Sequence, residues 1–305
     1  MRILVVSPVA ETAVDTLRGE HEVIVAFNAP QDQIKEQIVT CDALVFRSGP
    51  DISAEVMSCA PALKLLVRAG AGLDNLDLDY VHENNIQLKR IERPGVRAVA
   101  ELAFTLMLNL ARQVRTADSL LRQGHWAKHQ LTGSLLRGKT LGIYGCGNIG
   151  STAGGMGAAW GMKVLGCIEN PSPQRADDMR AKDIQLVEAD QLLAESDFIS
   201  VHLPLKESTR NIIGADTFAQ MKMGAFLVNL ARGGVVNEAC LKEALDSGHL
   251  AGAGMDVHEN EGEGKVSPLA GNDNVILTPH IGAGTVDTQR EIGETLVQII
   301  NDYAG

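Results

Sequence analysis

The chain has 305 residues, a formal net charge of −11 and five scattered cysteines. That length exceeds what one hydrophobic core usually supports, so two domains are expected. The acidic balance, with no contiguous basic stripe, excludes general nucleic-acid binding and means that an anionic ligand must be collected by a local group of arginines.

Cys41, Cys59, Cys146, Cys167 and Cys240 show no C-x-x-C spacing, which suits a reduced, cytoplasmic protein. The opening MRILVVSP lacks the basic start and long apolar run of a signal peptide. No apolar run approaches the roughly 20 residues that cross a bilayer, so no membrane partner is expected.

Short apolar runs at 3–6, 23–26, 43–46, 63–67 and 86–88 read as buried strands separated by amphipathic, helix-length stretches. Such alternation predicts a parallel sheet covered on both faces. A helical pattern, apolar over more than one face, then starts near Val99 and is expected to run unbroken to a stop at Gly124. After a polar stretch containing Trp126, strands are expected at 140–144, 163–168, 198–201, 225–229, 252–256 and 275–278, with a closing helix over 286–303. The fold class is therefore α/β, with two doubly wound domains.

The first chemical motif is Gly145-Cys146-Gly147-Asn148-Ile149-Gly150, placed where the strand 140–144 turns into a helix. Glycines at this spacing permit a tight turn and close backbone approach, so that a pyrophosphate can rest on the positive end of the helix. Gly154, Gly155 and Gly157 follow in the helix interior, where each should cost about 1 kcal/mol relative to alanine. Close packing on the sheet would offset that cost.

Charged residues gather at the carboxyl ends of the predicted strands, where open α/β sheets bind ligands. Arg47 follows the strand 43–46, and Arg68 begins the segment Arg68-Ala69-Gly70-Ala71-Gly72. Guanidinium forks and exposed backbone N–H groups suit a carboxylate or phosphate. Further along, Arg232 follows 225–229, Asp256 and Glu261 follow 252–256, and His280 follows 275–278. These groups suit alcohol oxidation: His280 takes the hydroxyl proton as hydride leaves the same carbon, Glu261 orients the imidazole, and Arg232 holds the carboxylate.

Seven segments in order, FRSGPDIS, VRAGAGLDNLDL, GKTLGIYGCGNIG, VHLPLKEST, VNLARGGVV, GAGMDVHENE and NVILTPHIGAGT, resemble signatures of the D-isomer-specific 2-hydroxyacid dehydrogenases. The likeness is greatest to short members of the D-3-phosphoglycerate dehydrogenase type without a C-terminal regulatory domain. It implies a flavodoxin-like substrate-binding domain over 1–97 plus 284–305 and a Rossmann dinucleotide-binding domain over 98–283. It also implies Arg232, Glu261 and His280 as catalytic residues. For the cofactor it implies Gly145, Gly147, Asn148, Ile149, Gly150, Leu203, Ala231, Asp256 and Gly282. Arg47, Arg68, Gly70, Ala71, Gly72 and Arg97 are the expected substrate contacts, no metal is expected, and the implied assembly is a homodimer.

The sequence also departs from this family's pattern. The loop Pro94-Gly95-Val96-Arg97-Ala98 is two residues short, with Arg97 near a usual asparagine, and Arg90 and Arg93 lie beside it. Ile168 stands where an aspartate usually binds the adenine ribose, and Glu169, one residue on, is expected to replace it, making NAD the cofactor with NADP as the alternative. His258 replaces an aromatic and Gly262 a proline, which is expected to loosen the segment carrying Glu261. The leading substrate is 3-phosphoglycerate at the head of serine biosynthesis. The alternatives are another 2-hydroxy acid of the sulfonate, phosphonate or hydroxypyruvate type, and a nucleotide-sensing interaction protein like the family's co-repressors.

Overall fold

The computed structural model describes residues 1–305. The chain divides into two compact units, Met1–Gly95 with Ala283–Gly305, and Val96–Gly282.

In the first unit, β1 (Arg2–Val5), β2 (Glu22–Val25), β3 (Ala43–Phe46), β4 (Leu65–Arg68) and β5 (Gln87–Arg90) form one sheet in the order β2-β1-β3-β4-β5. All its pairings are parallel, and the order is the flavodoxin-like one. Strands β3 and β4 are buried throughout, so they read as continuous apolar runs, whereas the edge strand β5 reads Gln-Leu-Lys-Arg. The C-terminal helix Val286–Ala304 completes this unit: Ile292, Leu296 and Ile300 join Ile3, Val5 and Leu17 in one buried cluster. Gly293 permits the contact, because a Cβ there would stand 3.0 Å from the Ala13 methyl.

The second unit holds β6 (Thr140–Tyr144), β7 (Lys163–Cys167), β8 (Ile184–Leu186), β9 (Phe198–Val201), β10 (Ala225–Asn229), β11 (Leu250–Met255) and β12 (Val275–Leu277). They form a parallel sheet in the order β12-β11-β10-β9-β6-β7-β8, the Rossmann arrangement with one added strand. The strand order reverses between β6 and β9, and ligands bind at the carboxyl ends beside such a reversal. Strand β8 is absent from the expectations because three residues, Ile-Gln-Leu, are too few to display a period.

The expected single helix from Val99 to Gly124 is two helices, Gly95–Arg112 and Val114–Arg122. Gln113 breaks it with a left-handed backbone, φ 52°. The first helix buries residues on most of its surface, and Gly252 and Gly254 let it lie close to β11, with Leu110 and Leu106 each within 3.2 Å of where a Cβ would be. The second helix buries none.

The helix Asn148–Ala159 shows what its interior glycines do. A Cβ on Gly154 would stand 2.5 Å from Ile184 Cδ1, and one on Gly157 would stand 2.6 Å from Leu141 Cδ2. Both glycines bring the helix down onto the sheet. Gly155 faces open space, with nothing nearer than the Lys182 Cβ at 3.9 Å.

Candidate active site

The glycine turn closes the carboxyl end of β6. Gly145 adopts φ 100°, and a Cβ on it would stand 2.8 Å from the His202 carbonyl oxygen, so only glycine fits. A Cβ on Gly150 would stand 2.1 Å from the Gly145 oxygen, which fixes the helix start against the turn. Gly147, the N-cap, has nothing within 4 Å of a Cβ position: this is the open cradle that a pyrophosphate requires. Asn148 and Ile149 open the helix, and Leu203 packs on the turn, its Cδ2 3.0 Å from the Gly145 Cβ position.

The thiol of Cys146 points inward, beneath the turn, and burial pushes it up to about 12. Arg175 donates a hydrogen bond to the Cys146 carbonyl, tying the segment after β7 to the turn. Glu169 lies on the same segment, exposed.

Three loops, at the carboxyl ends of β10, β11 and β12, carry Arg232, Glu261 and His280. At the end of β10, the fully buried Asn229 brackets its loop, accepting from the Ala231 N–H at 3.0 Å and donating to the Arg232 carbonyl at 3.3 Å. After β11, Glu261 Oε2 lies 2.9 Å from His280 Nδ1, and Oε1 accepts the His258 N–H at 3.1 Å. A carboxylate only accepts, so Nδ1 carries the hydrogen and Nε2 is left with its lone pair. Burial works to raise the Glu261 pKa, but the hydrogen bond and charge of His280 outweigh it and hold the carboxyl below its ordinary value. The imidazole is about one-third exposed, open to a small molecule.

His280 itself has φ 53°, an uncommon backbone for a residue with a side chain. Asp256, 1% exposed, imposes it. Its Oδ1 accepts from the Thr278 hydroxyl at 2.6 Å and the Ile281 N–H at 2.9 Å, and Oδ2 accepts from the Gly282 N–H at 2.8 Å. Its backbone carbonyl also accepts the His280 N–H at 2.7 Å.

In the first unit the structure gathers a second set at the carboxyl ends of β3, β4 and β5. Arg68 is 4% exposed, lies 5.7 Å from the Phe46 ring centre and donates from Nε to the Gly72 carbonyl at 2.7 Å. Its guanidinium also passes beneath Gly70, 2.7 Å from the Cβ position, so it braces the turn from Gly70 through Ala71 to Gly72. Arg90 donates to the Ala71 carbonyl. Sequence reasoning left Arg90 among the loop arginines; the signal for it is register, since Arg68 and Arg90 are direct neighbours across β4 and β5. Burial lowers the Arg47 pKa from its ordinary value, so its charge lacks full solvation where it stands.

Arg97 keeps different company. It pairs with Glu101 at 2.7 Å and lines a groove of about 400 Å³ with Ser151, Thr152, Trp160 and Lys182.

Residues 104–282 match the family described as D-isomer specific 2-hydroxyacid dehydrogenase, NAD binding domain. Over 302 residues the chain is 38% identical to a hydroxypyruvate reductase of Thermotoga maritima, covering 98% of this chain and 97% of that one. It is 37% identical, over its whole length, to a D-3-phosphoglycerate dehydrogenase of Archaeoglobus fulgidus, but spans only 57% of that protein. Among solved structures it resembles D-lactate dehydrogenase of Aquifex aeolicus complexed with NAD and lactic acid, with a TM-score of 0.86 and 28% identity over 99% of this chain and 96% of that one.

Proposed function

Because the chain belongs to the D-isomer specific 2-hydroxyacid dehydrogenases, a family of NAD-linked oxidoreductases, we propose that it acts on a small D-2-hydroxy acid bearing a second anionic group, 3-phosphoglycerate first among them. The observation that carries the catalytic reading is the His280–Glu261 hydrogen bond at 2.9 Å, on the same side of the sheet as the glycine cradle. Bound at Gly145, Gly147, Asn148, Ile149 and Gly150, the nicotinamide dinucleotide supplies the hydride acceptor or donor. His280 Nε2 takes the hydroxyl proton during oxidation and returns it during reduction. Glu261 keeps the ring in that tautomer and offsets its positive charge once protonated. Arg232 holds the carboxylate and polarises the carbonyl oxygen.

The second anionic group is assigned to Arg47, Arg68 and the turn Gly70-Ala71-Gly72, with the N–H groups of Ala71 and Gly72 as donors, since the Gly70 N–H is given to the Arg68 carbonyl at 2.9 Å. Burial of the Arg47 charge supports this, since an anion would offset the loss of solvation. Hydroxypyruvate is the second reading, favoured by the near full-length likeness to the Thermotoga protein. Serine biosynthesis belongs with the first reading, and the five scattered cysteines without C-x-x-C spacing support a cytoplasmic location. A homodimer is assigned to the second unit, where the helix Val114–Arg122 buries nothing and Leu121, Trp126 and Leu135 are 58%, 79% and 69% exposed.

The test is a panel of doubly and singly anionic hydroxy acids and their keto forms, followed by absorbance of the reduced nicotinamide. The expected result is faster turnover of 3-phosphoglycerate than of lactate or glycerate, and a loss of about 10²–10⁴-fold in kcat for His280→Ala with nucleotide binding retained. Near-wild-type turnover in that variant refutes the catalytic assignment. Nucleotide binding with no turnover of any acid would favour a sensor, and a preference for hydroxypyruvate over every phosphorylated acid would replace the substrate.

A further inference from the structure

His258 touches each of the three loops that carry Arg232, Glu261 and His280, and it does so through three different parts of the residue. Its N–H donates to Glu261 Oε1 at 3.1 Å. Its ring Nε2 lies 3.0 Å from the Thr278 carbonyl oxygen, two residues before His280. Its own carbonyl underlies Gly233, the residue after Arg232, so closely that a Cβ on Gly233 would stand 1.8 Å from the oxygen. The side chain is 14% exposed.

The protonation pattern of the ring follows from these partners. A carbonyl only accepts, so Nε2 carries the hydrogen. Nδ1 is then buried with no hydrogen-bond partner, and it faces Glu238 Oε1 at 4.0 Å. Glu238 is 2% exposed and is itself held in place: Oε1 accepts the Glu259 N–H at 2.7 Å, Oε2 accepts the Ser267 hydroxyl at 3.3 Å, and its N–H donates to Glu259 Oε1 at 3.0 Å. The imidazole is thus enclosed between a fixed carbonyl and a fixed carboxylate.

We propose that His258 is a positioning residue for the reaction: its Nε2–H bond to Thr278 sets the spacing between the glutamate loop and the histidine loop, and Glu238 confines the ring so that this bond persists. The expectation that a histidine here would loosen the segment is reversed. Gly262, at φ 122°, leaves the stretch after Glu261 without side-chain support of its own, and the polar clamp stands before it.

The proposal rests on the catalytic reading of His280 and Glu261, and the two fail separately. An active His280→Ala variant removes that reading whatever His258 does. For His258 itself, three variants of the full chain are compared by kcat, by KM for nucleotide and acid, and by thermal midpoint. In His258→Gln the amide N–H falls where Nε2–H is and reaches Thr278; in His258→Asn it falls near Nδ1 and does not; His258→Phe keeps the volume and loses both. We expect Phe and Asn to lower kcat by about 10- to 100-fold, the scale of a small misplacement of reacting groups, with nucleotide KM within about twofold of wild type, and Gln to retain most of the turnover. Equal kcat for Gln and Asn overturns the proposal even if the Phe variant fails to fold. So does a Phe variant within about twofold of wild-type kcat, or a loss in all three that tracks the thermal midpoint.

Discussion

Replacing His202 with glutamine should change how the second unit responds to acid. His202 follows β9 and its carbonyl forms the floor of the glycine turn. Its Nε2 lies 2.9 Å from the Ser200 hydroxyl, while Nδ1 is buried and has no partner. A second proton on the ring would therefore be poorly solvated, and burial pushes its pKa down from 6.5 to about 4. Since the folded value lies below the unfolded one, only the unfolded chain binds a proton between them. Stability is complete above about pH 6.5 and falls as pH drops toward 4, where the loss levels off. The interval corresponds to about 3 kcal/mol, most of which is lost by pH 4.5. Carboxylates such as Glu261 and Asp197, held below their ordinary values, also destabilise the fold in acid, so the measurement must be a difference. Both tryptophans, Trp126 and Trp160, belong to the second unit and report its urea unfolding by fluorescence. Between pH 7.5 and 4.5 the wild type should lose about 2–3 kcal/mol more than His202→Gln. Parallel curves over that range would show that His202 is protonated in the fold and that the buried Nδ1 finds a partner.

Two other predictions follow from the same unit. Glu169→Ala should raise KM for NAD and narrow a wild-type preference for NAD over NADP by about tenfold, the worth of a charge-assisted hydrogen bond together with lost repulsion of a 2′-phosphate. Comparing kcat/KM for both nucleotides decides it, and a wild type that prefers NADP would transfer the role to Arg175, which is already anchored at Cys146. In the helix Asn148–Ala159, Gly155→Ala should stabilise by up to about 1 kcal/mol because its Cβ position is open. Gly157→Ala should destabilise by about 1–3 kcal/mol, since the new methyl meets Leu141 and Val164. Equal shifts in denaturation midpoint would contradict the packing account.

The two sheets and most of their strand ends could be read in the sequence because buried parallel strands are apolar throughout and the residues that follow them are not. Leu65–Arg68 and Ala225–Asn229 announce both the strand and the place where polar side chains take over from apolar ones. What escaped reading depends on distant contacts. Nothing in Gln113-Val114 resembles a helix breaker, so the left-handed turn between the two helices is a product of packing rather than propensity. Arg68 follows a strand as expected, yet which carbonyl its guanidinium meets depends on the path of Gly70 to Gly72. His258 read as a weakness because its partners, Thr278 and Glu238, are 20 residues away on either side.

The charged residues after β11 and β12 consequently divide by exposure into different kinds of work. Asp256, Glu261 and His280 all lie at strand ends, and their position in the chain alone does not show which is buried and which exposed. Asp256 is 1% exposed and both its oxygens are engaged by donors from Thr278, Ile281 and Gly282, so a further ligand would have to compete with the chain's own N–H groups. Glu261 and His280 keep 41% and 33% of their side-chain surface, and the ring nitrogen that Glu261 does not bind is the one to which the proposed proton transfer is assigned. The left-handed backbone at His280 carries strain of order 1–3 kcal/mol. It persists because Asp256 takes the N–H groups of residues 280, 281 and 282 in succession, the first through its carbonyl and the others through its carboxylate. The buried acid shapes the loop, and the loop presents the exposed acid and base to which the proposed chemistry is assigned.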